Sequence, residues 1–280
     1  MIQAIKLTNG ARPATYEVEA LNEKGDIVST PIAGEHPLTL YLDRRELVTL
    51  MTLGGAPEAL AIGYLRNQRL VESVADIDSI TVDWDVHAAG VKTRAGIDRF
   101  DEKTAKRVVT TGCGQGTMFG DLMAEIDAVN LPADARLSEE VLYTVMERVR
   151  KYESIYKQAG AVHGCALCSN AGASRGEIVC FVEDVGRHNA VDAIAGQMWL
   201  DGVDGGDKIF YTTGRLTSEM VIKCAQMGIP FLLSRSGLTH MGHEIARRVG
   251  ITMIGRCQGR HYLLFTGKHR FTSARATQIA

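Results

Sequence analysis

The chain has 280 residues, 45% of them hydrophobic and 23% charged, with a formal net charge of −2. Such a composition suits one large or two modest globular domains with a sizeable core. It excludes nucleic-acid or anionic-membrane binding driven by overall charge, and no apolar window is long enough to span a bilayer, so any anion site must be local.

The first residues, Met1-Ile2-Gln3-Ala4-Ile5-Lys6, carry no apolar export core. The six cysteines are therefore expected to be reduced thiols of a cytoplasmic chain, not a disulfide framework. Leu38-Thr39-Leu40-Tyr41-Leu42 alternates with period two and predicts a half-buried strand. Ala56-Pro57-Glu58 opens a helix that gathers Leu60, Ala61, Tyr64 and Leu65 on one face, because proline at the first turn followed by an acid is good N-terminal chemistry. A further strand is expected at 80–84. Residues 1–108 are read as a smaller β-rich or α+β domain.

Residues 109–120 form a loop around Thr110-Thr111-Gly112-Cys113-Gly114-Gln115-Gly116-Thr117. Glycine on both sides frees the backbone and uncovers the thiol, which suits a group that must meet another molecule. The other reading is a surface loop that happens to hold a cysteine.

Residues 121–280 alternate strands and helices. Ser138 caps a helix expected to run through Val145, Val149 and Ile155. Strands are expected at 178–182, 209–211, 229–233, 251–254 and 262–265, and helices at 189–200, 218–227 and 239–249. Short β-branched runs, each followed by a helical pattern, argue for βαβ units: an α/β domain around a mainly parallel sheet, and an α+β protein overall.

Ligands of such sheets bind where strands end and helices begin. Three junctions each place glycine and arginine there: Glu183-Asp184-Val185-Gly186-Arg187-His188-Asn189, Thr212-Thr213-Gly214-Arg215, and Ser234-Arg235-Ser236-Gly237. Free helix N–H groups and a guanidinium fork suit phosphate. Glu183 and Asp184 either accept from a ribose or a purine edge, or form a salt bridge with Arg187. The basic run Gly255-Arg256-Cys257-Gln258-Gly259-Arg260-His261 joins the last two strands. It either closes over the same anion or is a solvated hairpin tip. Cys165-Ala166-Leu167-Cys168, preceded by His163, looks like half a zinc site but has no second ligand pair. Two core thiols are the alternative.

Taken in order, these stretches resemble the FdhD family of formate dehydrogenase accessory sulfurtransferases. The resemblance rests on Glu35-His36-Pro37-Leu38, on Pro57-Glu58 with Leu60, Ala61 and Gly63, on the cysteine loop and on Ala161-Val162-His163. It continues through the run from Glu183 to Asp192, Thr213-Gly214-Arg215-Leu216 with Ser218-Glu219-Met220, and Gly228-Ile229-Pro230. It implies a C-terminal fold related to cytidine deaminases without their zinc, a homodimer and no intrinsic metal. It also implies that Cys113 takes sulfur as a persulfide from a cysteine desulfurase and passes it to the molybdenum (or tungsten) bis-molybdopterin guanine dinucleotide cofactor of formate dehydrogenase.

That cofactor, or GDP as its mimic, would be held by His163, Asp184, Arg187, His188, Gly214, Arg215 and the hairpin residues Arg256, Cys257, Gln258, Gly259 and Arg260. The family loop usually reads C-G-x-C-G, whereas Cys113-Gly114-Gln115-Gly116 keeps only the first cysteine. Two other classes remain at this stage: a non-catalytic chaperone that binds and inserts the cofactor, and a zinc-dependent, deaminase-like hydrolase built on Cys165 and Cys168.

Overall fold

The computed structural model describes residues 5–96, 109–110, 116–117 and 129–273. In chain order the first strands are β1 (Lys6–Leu7), β2 (Thr15–Leu21), β3 (Ile27–Ala33), β4 (His36–Leu42) and β5 (Arg45–Thr52). Then come α1 (Pro57–Asn67), β6 (Ile77–Asp83) and β7 (Ala88–Thr93). The alternating leucines of β4 do what their spacing dictates: Leu38, Leu40 and Leu42 share one face and are 0%, 1% and 0% exposed. The return into β5 is made by Asp43 and Arg44, both at positive φ, the backbone that a two-residue hairpin turn requires. These strands form a five-stranded sheet in the order β1-β6-β7-β4-β5, while β2 and β3 make a separate antiparallel ribbon.

The short strands β8 (Val109–Thr110) and β9 (Gly116–Thr117) pair antiparallel. Cys113 itself lies outside the described residues.

Beyond them are β10 (Leu137–Ser138), α2 (Glu139–Lys151), α3 (Ile155–Ala159), β11 (His163–Ser169), β12 (Ile178–Asp184), α4 (Arg187–Leu200), β13 (Lys208–Thr212) and α5 (Ser218–Gln226). The chain continues with β14 (Phe231–Ser234), α6 (His240–Val249), β15 (Thr252–Gln258), β16 (His261–Leu264) and β17 (Phe271–Thr272). The helix expected to continue from Ser138 to Ile155 stops at Lys151. Tyr152 leaves it with ψ at 130° and stacks on Phe181 at 4.2 Å, and Ser154 then caps the separate α3.

The sequence reading divides the chain at 108 and 120. The compact units interleave along it: one comprises Met1–Ala105, Glu153–Gly164 and Val182–Leu200, the other Lys106–Tyr152, Cys165–Phe181 and Asp201–Ala280. In the first unit α4 lies against α1 at a glycine crossing. A Cβ on Gly63 would stand 1.6 Å from the Asp192 carbonyl oxygen, and one on Gly196 would stand 1.9 Å from that of Ala59. Asn67 Nδ2 donates to Asp192 Oδ1 at 2.6 Å, and Arg66 donates to the Ala195 carbonyl at 2.7 Å while stacking on Trp199.

The second unit is built on the six-stranded sheet β12-β11-β13-β14-β15-β16. Its parallel part is the central trio β13, β14 and β15, with β11 antiparallel to β13 and β16 antiparallel to β15. Leu142, Val145, Ile209, Phe231, Leu233 and Ile254 fill one side of it. The fold is thus mixed α/β. Among the described residues no helix is long and apolar enough to cross a membrane.

Candidate functional site

Four strands end on a short polar side chain that turns its own loop. Gly54 N donates to Thr52 Oγ1 after β5, Gly186 N to Asp184 Oδ1 after β12, Gly214 N to Thr212 Oγ1 after β13, and Ser236 N to Ser234 Oγ after β14. Each satisfies a loop N–H locally, so the following residues can be presented without a helix or strand to hold them. The signal was in the sequence: Asp, Ser or Thr two residues before Gly or Ser at a strand end.

In the first unit that motif becomes a closed knot. Asp184 is 5% exposed and accepts four bonds, from Thr52 Oγ1 at 2.5 Å, Asn189 Nδ2 at 2.7 Å, Gly186 N at 3.0 Å and Leu53 N at 3.1 Å. Asn189 also donates to the Met51 carbonyl. Burial pushes the Asp184 carboxyl up and the four donors oppose it. Glu183 accepts from Ile155 N at 2.6 Å and Tyr156 N at 3.1 Å. The acidic pair therefore ties loops together; both Asp184 oxygens are taken by the protein's own donors. Of the residues expected to hold the cofactor, Arg187 and His188 open α4 at 3% and 1% exposed, and His163 starts β11 half-buried.

The other two junctions belong to the second unit and are zipped side by side. Ser234 Oγ donates to the Gly214 carbonyl at 2.6 Å, Arg235 N to Thr212 O, Leu216 N to Gly237 O, and Arg256 N to Ser236 O at 2.8 Å. Three exposed arginines, Arg215, Arg235 and Arg256, thereby rise from three hydrogen-bonded segments at the C-terminal ends of β13 and β14 and along β15. Thr217, the N-cap of α5, makes no side-chain cap, and its buried hydroxyl has no hydrogen-bond partner among the described residues. Thr239 does cap α6, accepting from Gly242 N at 3.2 Å. The N-terminus of α5, beside Arg215, is thus the one of the two whose capping hydroxyl is unspent. Behind it Lys223 and Glu219, 1% and 4% exposed, pair at 3.2 Å.

Arg256–Arg260 is a hairpin as expected, with β15 and β16 antiparallel and positive φ at Arg256 and Gly259. Its residues point different ways. Gln258 and Gly259 are exposed, whereas Cys257 is 3% exposed, packed in the core with its thiol pushed up to about 12 by burial. Arg260 stacks over Tyr143 at 4.9 Å, and Tyr143 and Tyr262 both donate to Glu139 Oε1. Cys257 therefore offers no side chain to a ligand, and Arg260 anchors the hairpin to α2.

Cys165 and Cys168 are each 0% exposed on β11. Three residues apart on a strand, they face opposite sides of the sheet and cannot chelate one ion. Among the described residues no three His, Cys, Asp or Glu side chains are grouped to hold a metal. Burial pushes Cys168 to about 12 and, with Asp201 adding to it, Cys180 to about 11. An ordinary thiol ionises near 8.5, so between about pH 8.5 and 12 the unfolded chain releases protons that folded Cys168 and Cys257 keep. Stability is complete below that window and is lost progressively as pH rises through it. Urea unfolding midpoints should fall between pH 8.5 and 10.5; a level midpoint excludes the effect.

The FdhD/NarQ family model matches residues 33–272. The sulfur carrier protein FdhD of Listeria monocytogenes serotype 4b (strain F2365) is 32% identical over 250 residues, covering 88% of this chain and 93% of that protein. The protein of the same name from Bacillus subtilis (strain 168) is 28% identical over 251 residues, covering 89% and 94%. A crystal structure from Desulfotalea psychrophila, described as that of a candidate formate dehydrogenase accessory protein, is similar with a TM-score of 0.75 and 25% identity over 93% of this chain and 100% of that one.

Proposed function

We propose, since this chain belongs to the FdhD/NarQ family, that it carries sulfur on Cys113 as a sulfurtransferase. The donor is a cysteine desulfurase and the acceptor the molybdenum (or tungsten) bis-molybdopterin guanine dinucleotide cofactor that formate dehydrogenase needs. In the loading step the Cys113 thiolate attacks the terminal sulfur of the donor's persulfide. A new S–S bond forms at Cys113, the donor's S–S bond breaks, and the donor leaves as thiolate; no external oxidant or reductant is consumed. In this reading the protein works as a cytoplasmic homodimer.

One observation carries the choice of carrier. The other five cysteines are all described: Cys165, Cys168 and Cys224 are 0% exposed, Cys257 is 3%, and half-buried Cys180 holds its proton to about 11. Transfer needs a thiolate that another protein can reach, and none of the five offers one. Cys113 stands between glycines, in the span bracketed by β8 and β9. The test is to incubate the protein with a cysteine desulfurase and cysteine, then map the added sulfur by peptide mass spectrometry. Sulfur on any cysteine but Cys113 rejects the reading.

The cofactor's phosphates are assigned to Arg215, Arg256 and the α5 N-terminus, with exposed Gln258 and Gly259 alongside. Arg215→Ala is expected to weaken GDP binding about tenfold or more, the scale of one charge-assisted hydrogen bond. Unchanged affinity by calorimetry would move the nucleotide elsewhere.

A further inference from the structure

The ribbon of β2 and β3 has two outer edges, and they are not equivalent. Its ladder is framed by Gly34 N donating to Ala14 O and Asn22 N donating to Asp26 O. Hydrogen-bonded pairs alternate along an antiparallel ladder. Tyr16, Val18 and Ala20 therefore bond to β3, while Thr15, Glu17, Glu19 and Leu21 turn their N–H and C=O groups outward. On β3 the residue opposite Glu17 is Pro31, which has no N–H to offer at that edge. α3 also packs against β3. Among the described residues no strand pairs with the outer edge of β2, and every residue from Tyr16 to Leu21 is exposed.

An exposed strand edge is a template for another strand, and proteins normally blunt it. Here the side chains say what kind of strand fits. One face of the ribbon presents Glu17 and Glu19, with the exposed Leu21–Ile27 pair at its far end; one Glu17 oxygen accepts from Ser29 Oγ at 2.8 Å. The other face is apolar, with Tyr16 39%, Val18 36%, Val28 38% and Ile32 46% exposed. The Tyr16 hydroxyl is hydrogen-bonded with His36 Nε2 at 3.1 Å, which fixes the ribbon's base. A second copy is a poor occupant: antiparallel pairing of two β2 edges would set Glu17 and Glu19 of one copy against the same residues of the other, and like charges directly opposite destabilise a sheet.

We infer that the β2 edge docks an extended segment of a partner protein in which lysine or arginine alternates with apolar residues. The main chain of that segment bonds to Thr15, Glu17, Glu19 and Leu21. Its basic side chains lie beside the two glutamates, and its apolar ones extend the face of Tyr16 and Val18. Main-chain pairing gives affinity and the alternate side chains give selection. The proposal does not depend on the sulfur-carrier reading.

The test uses the full chain and two labelled hexapeptides, one alternating Lys and Val, the other Glu and Val, followed by fluorescence anisotropy at low salt. The basic peptide is expected to bind roughly tenfold tighter than the acidic one, the sum of two or three cross-strand charge contacts. Glu17→Lys combined with Glu19→Lys should reverse that order. Glu19→Pro removes an outward N–H that the ribbon does not use, so binding should be lost while the melting temperature holds. The inference is overturned if wild type binds neither peptide, if it binds both equally, or if Glu19→Pro binds as before. It is also overturned if sedimentation shows a dimer that Glu19→Pro dissociates, since the edge then belongs to a second copy.

Discussion

Cys113→Ala is expected to gain no sulfur from a desulfurase and to leave formate dehydrogenase inactive when supplied as its only accessory protein. The signature in wild type is a mass increase of about 32, one sulfur atom on a thiol. The effect should be large because the role is covalent: without the nucleophile no intermediate forms, and losses of this kind run to about a hundredfold or more. No neighbour stands ready to take over. Gln115 and Gly116 occupy the stretch where family members usually carry a second cysteine, and Cys165 and Cys168 are sealed in β11. Cys180→Ala is the control, since Cys180 is the least buried of the described cysteines; it should load and activate as wild type does. A Cys113→Ala protein that still takes up sulfur, or still activates the client, ends the carrier reading.

Gly196→Ala is expected to damage the first unit more than any surface change. One methyl group there meets the Ala59 carbonyl at 1.9 Å and the Gly63 nitrogen at 2.8 Å, all of it helix backbone that cannot swing away. α1 and α4 must separate, which stretches the Asn67–Asp192 and Arg66–Ala195 hydrogen bonds. Overpacking a tight contact costs about 1–3 kcal/mol. With the stretched bonds a loss of about 3 kcal/mol, or roughly 6–10 °C in melting temperature, is expected. Gly237→Ala, whose added Cβ would meet nothing within 4 Å, should stay within about 0.5 kcal/mol of wild type. Equal melting of the two variants would mean that the helices tolerate a wider crossing than their geometry implies.

Local order was legible where one residue type repeats with one period. β4, the proline-opened α1, and α5 and α6 within a residue or two of their expected limits all follow from alternation, capping and helical spacing. So does the placement of Gly214-Arg215 and Arg235 at the ends of adjacent parallel strands. The partnership of α4 was not legible. The helix is buried nearly all round, its polar Arg187, His188, Asn189 and Asp192 included, so its pattern names no single face, and the fit of Gly196 to Gly63 is a backbone matter that side-chain chemistry does not announce. The packing of the acidic pair was not legible for a related reason. Asp184 beside Arg187 suggests a ligand or a salt bridge, but its donors Thr52 and Leu53 come from another part of the chain. Cysteine spacing left two readings open, half a chelate or two core thiols, and β11 favours the thiols by burying both on opposite faces.

The crossing of α1 with α4 also sets a timetable for the newborn chain. Roughly 120 residues separate the end of α1 at Asn67 from the start of α4 at Arg187. At about 5–20 residues per second, a ribosome needs roughly 6–24 s to deliver the second helix after the first. For that interval Gly63 and the apolar surface around it have no partner, and the five-stranded sheet beside them waits with one helix. The first unit starts earliest, yet it cannot finish folding until the chain has been made as far as Leu200.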